Sequence, residues 1–272
     1  MLNIYIKDKR YTCISLLKEM NLSYARYVFE YIKGVKDVDK LLVDKTLLTM
    51  LSNFPENLIN SLNDKNVMEV LSEIDFLKNL NFTEYTKYFI LNKKRFKILN
   101  FNDLTVKEYA EIDYYLTNYK NEFEVLHNVI NILIRRITKS DINILYYIKK
   151  RIIQKNFIPI KVKNCKLTTW DEDNSELFDK RLDAEIAFHL FYDYIEWRNS
   201  LMKEYPDIWS LSEDDEDEVP ENSPSRIDKW GFYSYVWEMS SSLSEREAWY
   251  DKNIRQFLKA LSYIIVKKEE TK

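Results

Sequence analysis

Glycine is nearly missing from this chain: Gly34 and Gly231 are the two it has in 272 residues. Without glycine the backbone has little access to positive φ. Glycine-rich phosphate loops, nucleophile elbows and tight two-residue hairpins are therefore disfavoured, while helices are not. Histidine and cysteine are as scarce, with two of each. Cys13 and Cys165 have neither metal-site nor disulfide-framework spacing, which points to a reducing compartment. No G-x-S-x-G, no supported S-x-x-K, no Walker loop and no dinucleotide fingerprint occurs. No apolar run approaches the roughly 18 residues that a membrane span requires, and residues 1–7 lack the apolar core of a secretory signal. These absences predict a chain made in the cytoplasm, with no membrane partner, no cofactor and no metal.

Apolar material, by contrast, is plentiful. With 46% hydrophobic and 15% aromatic residues the chain can bury a sizeable core. Twenty tyrosines equal the six tryptophans and fourteen phenylalanines together. Tyrosine joins a large ring to a hydroxyl that seeks a partner, so it suits core edges and interfaces. Coding bias in an AT-rich genome explains the same enrichment without any function.

Charge is segregated along the chain. The net charge of −3 argues against general nucleic-acid binding by the whole molecule. Yet residues 135–163 hold nine basic side chains and one acid, Asp141. Residues 204–225 hold nine acids and no base. A solvated helix face is the plain explanation of the basic stretch. Docking of the two segments on each other, or on separate partners, is another. Arg135, Arg136, Lys149, Lys150 and Arg151 would meet phosphates if the partner were nucleic acid, though no aromatic stacking platform accompanies them.

The hydrophobic pattern predicts a mainly α, bundle-like fold with a small β-hairpin element. A short N-terminal hairpin turns near residues 7–9. Helices are expected over 22–32 with Ser23 as N-cap, 47–54, 58–62 and 64–77. Tyr88-Phe89-Ile90-Leu91 and Phe96-Lys97-Ile98-Leu99 flank Asn92-Lys93-Lys94-Arg95, which reads as a hairpin at 86–99 with a longer loop, since glycine is absent from its turn. Thr105 and Glu108 form a capping-box pattern. Residues 123–137 read as a central helix and 141–153 as another, with 161–173 as a loop or extended crossover. One long helix is expected over 175–204, ended by Pro206, then an acidic solvated loop at 205–225. Two last helices are expected at 227–239 and 245–267. Residues 1–78 read as an N-terminal helical region and 79–272 as a helical region with the hairpin 86–99 and the acidic loop 205–225, together one compact unit.

His189 has Glu185 four residues before it and Asp193 four after, on one helix face. That spacing suits a metal ligand or a general base. With no second histidine or cysteine nearby in sequence, a polar helix edge is the simpler reading. His127 lies in the apolar central helix and reads as a core-edge residue. The run Glu213-Asp214-Asp215-Glu216-Asp217-Glu218 lacks the ligand alternation and glycine of a calcium loop.

Two further patterns stand together. One is the hairpin followed by Asp103-Leu104-Thr105-Val106-Lys107-Glu108-Tyr109 and then Val129-Ile130-Asn131-Ile132-Leu133-Ile134-Arg135-Arg136. The other is Trp230-Gly231-Phe232-Tyr233-Ser234-Tyr235-Val236-Trp237-Glu238-Met239 leading to Phe257-Leu258-Lys259-Ala260-Leu261-Ser262-Tyr263. This order resembles small helical proteins of tailed-bacteriophage structural modules, notably those of crAss-like phages and relatives. In them a W-G-[WFY]-Y helix precedes a final x-x-x-L-x-x-L-x-Y helix. The chain departs from that pattern at Ser240-Ser241-Ser242, where relatives often have glycine-aspartate, and at Leu133-Ile134-Arg135, where they often have Leu-Tyr-Arg. The resemblance spans about 100 residues. It implies a non-enzymatic tail- or virion-assembly factor, a chaperone or adaptor in the host cytoplasm whose partners are phage structural proteins. The alternatives it leaves are a stoichiometric virion component and a nucleic-acid-binding accessory protein. It transfers no catalytic residue.

The interface candidates are therefore Trp230, Tyr233 and Trp237 in the aromatic motif and Arg135, Arg136, Lys149, Lys150 and Arg151 in the basic stretch. Helical spacing splits the motif into two rows: Trp230, Tyr233 and Trp237, and Phe232, Val236 and Met239. Core packing is the plain reading of the first row, against Phe257, Leu261 and Ile264, with Phe191 or Tyr194 covering it.

Overall fold

A computed structural model describes residues 1–6, 9–35, 40–78, 85–142, 157–160, 162–169, 173–209 and 232–270. Mainly α with small antiparallel β elements, the chain divides into two compact units. Unit 1 comprises Met1–Lys94, Asn143–Ile160 and Asn174–His189; unit 2 comprises Arg95–Ile142, Lys161–Asp173 and Leu190–Lys272. The strands exceed the single small hairpin element expected from the pattern. Among the described residues no helix is long and apolar enough to cross a membrane.

Unit 1 opens with the expected N-terminal hairpin. Strands β1 (Leu2–Ile6) and β2 (Lys9–Cys13) pair antiparallel from Leu2↔Cys13 to Ile6↔Lys9. The chain after β2 is tied to the end of α2 (Lys40–Leu51): Ile14 N–H donates to the Leu51 carbonyl at 2.7 Å, and Cys13 bridges Ser52. Helix α1 (Leu22–Gly34) starts at Leu22 as expected and runs two residues further than the expected end at Ile32. Its N-cap is Asn21, whose side chain accepts from Tyr24 N–H, and not Ser23. The short helices α3 (Glu56–Ser61), α4 (Asp64–Ser72) and α5 (Asp75–Lys78) follow. Val28, Leu48, Leu51, Ile59, Val67 and Ile74 are buried. Phe29 meets Phe76 edge-on and Phe188 at a tilt.

The helix expected over 175–204 is two helices, α8 (Ser175–Arg181) and α9 (Ala184–Glu204). The interruption has a tertiary cause. Leu22 N–H donates to the Leu182 carbonyl and Ala184 N–H to the Met20 carbonyl, so residues 20–22 replace the intrahelical partners. No proline or glycine marks the break.

Strands β3 (Tyr88–Leu91) and β4 (Lys94–Ile98) are where the sequence places them. The longer loop expected between them is wrong. Asn92 and Lys93 form a two-residue turn, with φ of 46° and 66°. Both residues are left-handed, as a type I′ turn demands; asparagine tolerates this, and lysine takes it at a cost. Within unit 1, β3 also pairs antiparallel with β6 (Phe157–Pro159), Phe89 opposite Pro159.

Unit 2 is built around α6 (Val106–Asn118) and α7 (Glu122–Leu133). The capping box is present: Thr105 Oγ1 accepts from Glu108 N–H at 3.3 Å and Glu108 Oε2 from Thr105 N–H at 2.9 Å. Helix α7 is buried nearly all round, as its apolar run predicts. It stops at Leu133 and not at 137. Ile134 begins β5 (Ile134–Ile142), so the helix expected from 141 is strand as far as 142; residues 143–153 lie outside the described residues. The β-branched set Ile134, Ile137 and Thr138 favours the extended form. Strand β5 pairs with β4 (Phe96↔Arg136, Lys97↔Arg135, Ile98↔Ile134) and with β7 (Val162–Leu167), which falls in the stretch expected to be a loop or extended crossover.

Among the described residues the C-terminal part has three helices where two were expected: α11 (Tyr233–Glu238), α12 (Leu243–Tyr250) and α13 (Ile254–Glu270). Ahead of them, α10 (Pro206–Trp209) occupies the start of the expected acidic loop, with Ile208 buried; residues 210–225 of that loop lie outside the described residues. The break between α12 and α13 is again a tertiary pairing. Val106 N–H donates to the Lys252 carbonyl and Ile254 N–H to the Leu104 carbonyl, and Asn253 Oδ1 caps α13 by accepting from Arg255 N–H.

Candidate functional site

Helix α6 offers three carboxylates within two turns, and each holds a different element of unit 2. Glu108, beyond its capping role, accepts from Arg135 Nη2 at 2.7 Å and so anchors β5. Asp113 is 7% exposed. Its Oδ1 accepts from Arg198 Nε at 3.2 Å and Nη2 at 2.5 Å, and its Oδ2 from the Phe232 N–H at 3.2 Å. Glu111 accepts from the Tyr233 hydroxyl at 2.5 Å. A helix whose carboxylates are buried needs such donors, because an ionised group without them carries a large desolvation cost.

The aromatic motif docks on this acidic face by its second row, and the expected orientation is corrected. Phe232, 2% exposed, is the plug. Its ring lies 4.8 Å from Tyr109 and 5.5 Å from Phe257, with Trp209 stacked on it at 6.5 Å. Val236, one turn on, is fully buried. Trp249, rather than Trp237, is the indole against Phe257. The reason is the backbone: Asp113 captures the Phe232 N–H, which sets the rotation of α11 and turns Tyr233 and Trp237 outward.

Tyr233 is half-buried, and burial, followed by its bond to Glu111, pushes its hydroxyl well above the ordinary tyrosine range. Burial does the same to Tyr109 and Tyr194, whose hydroxyls have no hydrogen-bond partner among the described residues. These phenols stay protonated at neutral pH: Tyr233 donates to Glu111, while Tyr109 and Tyr194 serve as bulk.

Trp237 is 47% exposed. It is nevertheless held in place. Its indole N–H donates to the Tyr250 hydroxyl at 3.1 Å, and the Arg246 guanidinium lies over its ring, 4.6 Å from the centroid. Tyr250 in turn meets Tyr233 edge-on at 5.9 Å. Leu243, at the start of α12, is 67% exposed. The result is a surface cluster of Tyr233, Trp237, Arg246 and Tyr250, ordered from beneath by Glu111. Tryptophan, tyrosine and arginine are the side chains that dominate protein contact energies.

Of the candidates named from sequence, Tyr233 and Trp237 come together here. Arg135 does not present to solvent: at 3% exposure it is spent on Glu108. Arg136 is half-buried on β5. Trp230, Lys149, Lys150 and Arg151 lie outside the described residues. Sequence reasoning missed Arg246 and Tyr250, which lie in a helix of mixed pattern with no stripe to single them out. It also missed Asp113, although a carboxylate between Ile112 and Tyr114 in a helix's apolar stretch is a usable signal.

His189 is half-buried in unit 1 with Tyr85 edge-on at 4.8 Å, and His127 is half-buried on α7. Among the described residues no group of three or more His, Cys, Asp or Glu side chains is placed to hold a metal ion. Set against known proteins, the chain matches no family model, no curated protein and no solved structure.

Proposed function

We propose that this chain is a non-enzymatic bacteriophage protein of virion or tail morphogenesis, an assembly chaperone or adaptor that works through protein–protein contacts. The observation that carries the reading is the Trp237 cluster. A half-exposed tryptophan, rigidified by Tyr250 and Arg246 before any partner arrives, loses little side-chain freedom on binding. Its flat ring, the guanidinium above it and the exposed Leu243 suit an apolar pocket with a polar rim on a larger protein. The sequence resemblance to phage structural-module proteins supplies the setting, host cytoplasm and phage structural partners.

The test is complementation of a phage lacking this gene by Trp237→Ala and Arg246→Ala variants, each first checked for a normal unfolding midpoint. Well-folded variants should give fewer assembled particles, counted by electron microscopy. Normal particle yield from both would refute the contact role. Mass spectrometry of purified virions then separates two versions of the role: a chaperone is scarce in the particle, a stoichiometric component is present in fixed copy number.

A further inference from the structure

The three strands of unit 2 carry a charge balance opposite to that of the chain. Residues 95–98, 134–142 and 162–167 contain Arg95, Lys97, Arg135, Arg136, Lys139, Lys163 and Lys166 against the single acid Asp141. Arg135 is neutralised by Glu108. The β5–β7 ladder then makes a specific arrangement of the others. Lys139 stands directly opposite Lys166, and both are exposed. Neither has an ion-pair partner among the described residues. Like charges directly across a ladder oppose strand pairing.

The register explains how they meet. Between Ile137↔Leu167 and Lys139↔Lys166 the pairing shifts by one residue, a bulge at Thr138. Bulges re-aim side chains. Successive ladder pairs take alternate faces, so Lys139 and Lys166 lie on the face opposite buried Ile137, which is the face that Arg136 takes. Thr138 Oγ1 donates to the Lys166 carbonyl at 3.1 Å, and Thr168 N–H to the Arg136 carbonyl at 2.9 Å, which holds the two strands together at the bulge.

We infer that this β5–β7 ribbon is a contact site for the phosphodiester backbone of nucleic acid, read by charge and not by base sequence. Charge complementarity carries the assignment: two solvated ammonium groups held side by side across the ladder match closely spaced phosphates. An antiparallel ribbon is also narrow enough to enter a major groove. Among the described residues of β5 and β7 no aromatic side chain accompanies the lysines, which fits backbone contact without base stacking. The net charge of −3 limits the affinity, and each phosphate that a lysine neutralises makes it salt-dependent. This inference is independent of the Trp237 cluster.

The experiment is fluorescence anisotropy of the full chain with fluorescein-labelled 20-nucleotide single-stranded and duplex DNA of arbitrary sequence, across 25–200 mM salt. The intact protein should bind at low salt and lose affinity as salt rises. The Lys139→Gln/Lys166→Gln double variant should bind on the order of tenfold more weakly at low salt, with a salt slope shallower by about two. Lys203→Gln/Lys259→Gln, removing the same charge from exposed helix positions of unit 2, should change neither value. No binding at 25 mM salt, or equal losses in the two double variants, would overturn the site. So would displacement of the DNA by poly-glutamate at equal charge concentration, which would assign the ribbon to acidic protein instead.

Discussion

Phe232 and Trp237 stand five residues apart in one aromatic stretch and have opposite fates. Phe232 fills a ring-lined site closed by Tyr109, Trp209 and Phe257. Phe232→Ala should cost about 3–5 kcal/mol of stability, the range for a buried large aromatic. Trp237→Ala should cost less than about 1 kcal/mol, since nearly half of the side chain is already exposed. Urea titration of the two variants checks the pair, and a reversed order would mean that the inward row is the other one. Titratable residues add a pH dependence. Burial pushes the Cys13 thiol from 9.0 up to about 11, against the pull of the N-terminal amino group. The folded value lies above the unfolded one, so between pH 9 and 11 the native chain keeps a proton that the unfolded chain releases. Stability is therefore lost as pH rises through that window. The buried phenols of Tyr109, Tyr194 and Tyr233 shift the same way and extend the loss to higher pH. Urea midpoints should fall from pH 9 to 11, and a midpoint that rises there would contradict the burial of these groups.

Among the elements, the turn between β3 and β4 is the one that works against its sequence. A two-residue turn with both φ values positive wants glycine at its second position, and this chain has Lys93 there with φ of 66°. Lys93→Gly should raise stability by roughly 1 kcal/mol, the cost of holding a side-chain-bearing residue in the left-handed region less the added freedom of the unfolded chain. Thermal denaturation tests it; a lower midpoint would show that the turn is not left-handed. The same element shows what local pattern can and cannot tell. Tyr88-Phe89-Ile90-Leu91 and Phe96-Lys97-Ile98 announce strands through β-branched and aromatic content, but the absence of glycine argues for the wrong loop. Thr105 and Glu108 announce a helix start correctly, because a capping box needs only its own four residues. The breaks at 182–183 and 251–253 are silent in sequence. Their cause is backbone pairing with residues 20–22 and 104–106, distant in the chain.

For the whole molecule, the two units carry different probes. All six tryptophans, at 170, 197, 209, 230, 237 and 249, belong to unit 2, whereas Cys13 belongs to unit 1. Tryptophan fluorescence therefore follows one unit and Cys13 alkylation the other. Phe232→Ala should lower the urea midpoint seen by fluorescence more than the midpoint seen by Cys13 labelling, because the deleted ring belongs to the core of unit 2. Equal shifts would show the units to unfold as one cooperative body.

The sequence by itself determined that helices dominate, that α7 is mostly buried, that α6 begins at a capping box and that basic and acidic residues are segregated. These follow from composition and short-range periodicity, which act within a few residues. Tertiary structure alone decided which row of the aromatic motif faces inward. A helical wheel of residues 230–239 offers two apolar rows of similar width. The choice falls to Asp113, 119 residues from its partner, whose carboxylate takes the Phe232 N–H and leaves Trp237 in water. Tertiary structure also decided that Arg135 is internal while Lys139 and Lys166 stand together on the surface. Ladder register and a single bulge set that distinction, and neither is encoded in the spacing of charges along the chain.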